Sequence, residues 1–231
     1  IWDCAAGTGN LLAGLTNKYN IYASTLDQAD VSVMHERIDH GANLLKGNVF
    51  QFDFLNDDFS KLPQPLLDII NDEEKRKKLV VYINPPYAEA SNRDTVTGNG
   101  ENKSNVATST LVYKDFSSVV GTATRELFVQ FFLRIYKEIP SAKLASFSTL
   151  KYVSSQNFFK FKKYFKAEFI NGFIVPAHTF DNVNGKFPVG FLIWNTENMQ
   201  NIKEVTCDVF KKDYIGQKTF YSFEQNVFII H

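Results

Sequence analysis

Long apolar runs are missing from the 231 residues: none approaches the roughly 20 positions that a membrane-spanning helix needs. Ile1-Trp2-Asp3 comes with neither a basic leader nor an initiator methionine, so a secreted or membrane protein is not indicated and a cytoplasmic location is expected. Cysteine is scarce. Cys4 and Cys207 build neither a disulfide framework nor a zinc cluster, which suits a reducing compartment. Histidine is scarce too: His35 and His40 lie off a common helical face and His178 and His231 stand alone, so no metal is expected. Net charge is absent, with 25 basic residues against 25 acidic ones, which at first sight excludes a strongly basic nucleic-acid binder.

That zero hides a division. Residues 1–115 carry 11 basic and 16 acidic side chains, whereas residues 116–231 carry 14 and 9; of 22 phenylalanines only 4 precede residue 116. The halves are therefore expected to do different jobs, and a polyanionic partner stays open. At 44% hydrophobic and 22% charged, the chain suffices for one substantial core, as a single domain or one domain with a small appendage.

The first half alternates short apolar runs with amphipathic stretches, the pattern of βα units around a largely parallel sheet. Strands are expected at Ile1 to Asp3, Ile21 to Leu26, Val49 to Phe52 and Leu79 to Ile83. Helices are expected from Asn10, over Val31 to about Gly41, and within Pro63 to Lys78. Ala88 to about Thr110 is rich in Ser, Asn, Thr and Gly, and a loop of this length is usually functional or mobile. Beyond it, the spacing predicts a helix over Ala123 to Ile139, a strand over Ala142 to Thr149, a helix over Ser154 to Phe165 and a strand over Phe169 to Val175. A hairpin turn at Asp181 to Gly185 leads to an antiparallel strand at Phe187 to Trp194, and Val205 to Phe210 and Thr219 to Phe223 suggest a small β addition.

Chemistry concentrates at strand ends. Asp3-Cys4-Ala5-Ala6-Gly7-Thr8-Gly9 places an acid at the end of a strand and two glycines in the turn that follows, where the backbone can approach a ligand and a helix N-terminus offers free N–H donors. It lacks the last glycine of G-x-G-x-x-G, and no Gly-Lys-Ser/Thr follows, so dinucleotide and nucleoside-triphosphate readings lose ground. Any tight βα turn would look similar. Asp27, ending the second strand, can accept from both hydroxyls of a ribose, or be a plain polar strand end. Asp53 can accept from the exocyclic amine of an adenine beside Phe54, or cap a helix. Three acids at three successive strand ends say more than any one, because open α/β sheets bind ligands at the carboxyl edge.

Asn84-Pro85-Pro86-Tyr87 directly follows the most hydrophobic strand. The prolines stiffen the backbone, so the Asn84 side-chain oxygen and the Pro85 carbonyl can be aimed as two acceptors while Tyr87 offers a flat face. Such a site suits a planar NH₂ group held by both hydrogens, its lone pair turned out of conjugation. A plain Pro-Pro turn is the competing reading.

Taken together, Asp3 to Leu12 followed by Asn84 to Tyr87 resembles the adenine-N6 DNA methyltransferases, the gamma-type amino methyltransferases of restriction-modification systems, over about residues 1–195. The resemblance implies an α/β, Rossmann-like S-adenosylmethionine-dependent methyltransferase fold: a seven-stranded mixed sheet with one antiparallel strand, plus the small C-terminal β addition. It implies S-adenosylmethionine as cofactor, with Asp3, Ala5, Gly7 and Gly9 around its methionine part, Asp27 at the ribose, and Asp53 with Phe54 at the adenine. Asn84, Pro85, Pro86 and Tyr87 would carry catalysis on an adenine flipped out of double-stranded DNA. In the family an aromatic from the hairpin region stacks on the base opposite Tyr87; Phe180 is the first choice and Phe187 the second. A cofactor half (about 1–87), a target-base half (about 88–195) and a C-terminal extension (196–231) leading to a recognition region are expected. The chain would then be a catalytic portion that binds DNA weakly by itself, with target-recognition and endonuclease parts fused or separate.

Two rivals use the same residues: a methyltransferase acting on a protein glutamine or a ribosomal RNA guanine, and an inactive module that binds cofactor or DNA. The interleaved Lys151-Tyr152 and Phe158 to Lys166 fit phosphate contacts or a helix with a basic outer face equally well. Asp68 with Glu73-Glu74-Lys75 is read as a solvated helix end rather than a nuclease fragment.

Overall fold

The apolar runs of the first half form short parallel strands. The computed structural model describes residues 1–86, 107–180, 187–211 and 214–222. In it β1 (Trp2–Asp3), β2 (Tyr22–Thr25), β3 (Val49–Gln51), β4 (Val80–Ile83) and β5 (Lys143–Thr149) run parallel. β6 (Glu168–Pro176), β7 (Pro188–Asn195), β8 (Glu204–Lys211) and β9 (Tyr214–Tyr221) complete one sheet in the order β3-β2-β1-β4-β5-β7-β6-β8-β9.

The expected mixed α/β sheet is present, with two corrections. Among the described residues the sheet has nine strands where seven were expected, and two of them, β7 and β9, oppose the others where one was expected. The reason is non-local. β8 and β9 pair as a hairpin, and β8 then joins β6 in parallel through Phe173–Asp208 and Ile174–Val209, so the C-terminal addition extends the main sheet.

Helices α1 (Gln28–Asp39), α2 (Gln64–Asn71), α3 (Glu73–Arg76), α4 (Leu111–Val120), α5 (Leu127–Glu138), α6 (Lys151–Ser154) and α7 (Phe159–Tyr164) flank the strands. The helix expected from Asn10 is a single 3₁₀ turn, Asn10–Leu12, in which only Leu12 is buried; one apolar anchor does not sustain a longer helix beside Gly14. α4 was not anticipated. Thr110 caps it by accepting from the Tyr113 N–H, and Val112, Phe116 and Val120 bury one stripe at i, i+4, i+8 spacing. The single helix expected over 123–139 is broken at Glu126, which is extended (φ −82°, ψ 122°) where its buried carboxylate meets Lys151 at 2.8 Å.

Most of the buried aromatic side chains lie in the second half. Trp194 is fully buried, donates to the Tyr152 hydroxyl at 2.9 Å and touches the rings of Phe165 and Phe169. At Gly172, just past a bulge in β6, a Cβ would stand 2.5 Å from the Phe191 carbonyl oxygen and 2.6 Å from a Leu192 methyl. No helix among the described residues is long and apolar enough to cross a membrane.

Candidate active site

The parallel strands bring their carboxyl ends to one edge, where Asp3, Asp27, Asp53 and Asn84 lie. Asp3 ends β1 fully buried. One carboxylate oxygen accepts from the Ala5 N–H at 3.0 Å, and the other, Oδ2, is buried with no hydrogen-bond partner. Desolvation outweighs the Ala5 bond and raises the Asp3 pKa to about 7. The turn after it is fixed from three sides. Ala6 N–H donates to the Ser24 carbonyl at 3.0 Å, Gly9 N–H to the Ala6 carbonyl at 2.8 Å, and Arg37 of α1 to the Thr8 carbonyl at 2.6 Å. Gly7 (φ 52°) and Gly9 (φ 81°) lie in the left-handed region; a Cβ on Gly9 would meet the Met34 side chain at 3.1 Å, whereas one on Gly7 would enter open space.

Asp27, two residues beyond β2, is exposed at the N-cap of α1, and its side chain makes no capping bond. Asp53, two residues beyond β3, organises a tight turn. Its carboxylate accepts from the Leu55 N–H at 3.0 Å and from the Asn56 amide at 2.8 Å, while its own N–H donates to Asp57 at 2.8 Å. Phe54 is placed differently from the expectation that it flanks an adenine. It is buried among Trp2, Phe52 and Phe59 and stacks on Phe131 at 5.2 Å, so its ring serves the core.

β4 delivers Asn84, half-buried, then Pro85, buried, and Pro86, exposed. Tyr87 lies outside the described residues, as do most of the Ser/Asn/Thr-rich segment and the turn expected at 181–185. The pairing of Ile83 with Ser146 in the middle of β5 puts the following residue, Phe147, level with Asn84, and Phe147 belongs to an aromatic cluster. Phe180 meets Phe147 edge-on at 5.3 Å, and Phe187 packs against the same cluster, so both candidate stacking residues stand by the carboxyl end of β5.

Arg134 of α5 escaped sequence reading. Its guanidinium donates to the Phe54 and Asp57 carbonyls and lies over the rings of Phe54 (5.4 Å) and Phe59 (4.8 Å), clamping the Asp53 turn from below. An arginine inside an amphipathic helix carries no local sign of that task, and the same holds for Arg37. In the basic stretch, Phe158, Phe161 and Phe165 are buried, as is Lys162, which donates to the Val153 carbonyl at 3.2 Å; Lys160 and Lys163 are exposed. Asp68 accepts from Gln64, and Glu73 and Glu74 pair with Lys77, which makes that segment a solvated helix end. Among the described residues no cluster of three or more metal-ligating side chains occurs.

No protein-family model and no curated protein matches the sequence. Solved structures do. The methyltransferase subunit of a type I restriction-modification system from Streptococcus thermophilus matches with a TM-score of 0.58 and 16% identity, over 96% of this chain and 44% of that one. DrdV in complex with DNA matches at 0.58 and 14%, over 90% and 24%. A Listeria monocytogenes protein assigned to the class I S-adenosylmethionine-dependent methyltransferases matches at 0.52 and 15%, over 90% and 57%. At these identities the likeness establishes the fold, and the chain spans about a quarter to somewhat over half the length of those structures.

Proposed function

We propose that this chain is the catalytic portion of an S-adenosylmethionine-dependent DNA methyltransferase that transfers a methyl group to the N6 amine of an adenine flipped out of the duplex. The observation that carries the reading is the shared carboxyl edge on which β1 presents the glycine turn, β2 and β3 present Asp27 and Asp53, and the adjacent β4 presents Asn84-Pro85-Pro86. Solved structures of the same fold include restriction-modification methyltransferase subunits and a DNA complex, which favours DNA over a protein glutamine or an RNA guanine.

The residues present fit the cofactor. The partnerless Oδ2 of Asp3 suits an ammonium group, the open space beside Gly7 admits a ligand close to the backbone, and exposed Asp27 can accept from two ribose hydroxyls. The cofactor, when bound, supplies an already activated sulfonium methyl. Asn84 Oδ1 and the Pro85 carbonyl then accept the two amine hydrogens, which draws the nitrogen lone pair out of conjugation and towards the methyl. No strong base is required, because position and polarisation do most of the work. Tyr87 on one side and Phe180 or Phe187 on the other would stack on the extruded base and offset the few kcal/mol spent on leaving the helix. Exposed Lys160 and Lys163 are available to DNA phosphates.

The test is methyl transfer from labelled cofactor to unmethylated DNA, with Asn84→Ala as the comparison. Label in N6-methyladenine that disappears in the variant supports the reading. Label found only in protein or RNA rejects the substrate, and equal activity in the variant rejects the mechanism.

A further inference from the structure

Within that reading Asp53 faces the cofactor adenine, and a carboxylate can select an amine only if its free lone pairs point the right way. The backbone beneath Asp53 is already fixed by Arg134, bonded to the carbonyls of Phe54 and Asp57. The side chain is fixed by Asn56, whose amide Nδ2 donates to Asp53 Oδ2 at 2.8 Å while its Oδ1 accepts from the Leu111 N–H at 2.9 Å. The second bond decides the first. A backbone N–H can only donate, so the first N–H of α4 forces the Asn56 oxygen towards itself and the NH₂ towards Asp53. Leu111 is held in turn, because Thr110 caps α4 and also donates at 2.6 Å to Gln130, a fully buried residue that bonds the carbonyls of Ala107 and Thr124.

We infer that Asn56 is a positioning residue: braced by the N-terminus of α4, its amide occupies one oxygen of Asp53 and leaves the rest of that carboxylate aimed at the exocyclic amine of the cofactor adenine. Asn56 thereby sets which purine the site accepts without touching the purine. The inference rests on Asp53 binding adenine.

Binding of S-adenosylhomocysteine and of its deaminated counterpart, S-inosylhomocysteine, separates the two claims. Hypoxanthine presents a carbonyl where adenine presents an amine, so a correctly aimed carboxylate repels it, and the protein is expected to prefer the adenosyl ligand by tenfold or more. Asp53→Ala should abolish that preference. Asn56→Ala should reduce it severalfold, and Asn56→Asp, which keeps the acceptor for Leu111 but sets a second carboxylate against Asp53, should weaken the adenosyl ligand further. An Asn56→Ala protein that binds both ligands more weakly by the same factor, at an unchanged ratio, overturns the positioning role while leaving Asp53 in place. A preference that survives Asp53→Ala, or no binding of S-adenosylhomocysteine at all, rejects the adenine role of Asp53 and the inference with it.

Discussion

The two halves of the sheet hold their shape by different means. β1 to β4 are two to four residues long, and the loops beyond them are fixed one at a time by side chains reaching backbone carbonyls: Arg37 to Thr8, Gln51 to Leu26, Arg134 to Phe54 and Asp57. β5, β6 and β7 are seven to nine residues long, joined in antiparallel ladders, and backed by rings such as Phe132, Phe165 and Trp194. In the short-stranded half, geometry is set by individual polar contacts that can be tuned separately. Where a platform is needed, packing sets it collectively and any one change is felt widely.

The sharpest test of that contrast is Trp194→Ala in the platform, expected to cost about 3–5 kcal/mol in denaturant titration while the folded fraction binds S-adenosylhomocysteine as before. A parallel loss of affinity would break the distinction. Asn84→Ala, in the short-stranded half, should do the reverse: turnover on DNA falls by about a hundredfold or more with the melting temperature nearly unchanged. A smaller effect follows from Asp3. Its raised pKa, near 7, means that the folded state prefers the protonated acid, so this group's contribution to stability is complete below the ordinary carboxylate range and is lost as pH rises through about 7. Cofactor binding has the opposite sign, because an ammonium ligand needs the carboxylate. Affinity for S-adenosylhomocysteine should climb by roughly tenfold per pH unit below 7, level off above it, and lose this dependence in Asp3→Asn. The mildest effect is expected from Arg37→Ala, a fewfold loss of cofactor affinity by calorimetry as the Thr8 carbonyl loses its anchor, with stability little changed.

Much of this was legible in the sequence, for a physical reason: strand ends followed by Gly, Pro or Asp are local signals, and Asp3, Asp27, Asp53 and Asn84 all came to one edge. What escaped was settled between distant segments. Val112, Phe116 and Val120 become a buried stripe only because α5 and α7 pack there, and the hairpin of β8 and β9 gives no hint that its open side joins β6. Phe54 looked like a ligand-facing ring because it follows Asp53. Four aromatic neighbours and a guanidinium claim it instead.

Gly172 bears on how substitutions in this chain are to be interpreted. Its neighbours at 2.5 and 2.6 Å are the Phe191 carbonyl oxygen and a branched side chain, so even alanine forces two strands apart. A saturation library selected for activity would retain glycine there as strictly as in the glycine turn after β1. Intolerance at position 172 would then report the spacing between two backbones, which intolerance alone does not distinguish from a functional contact.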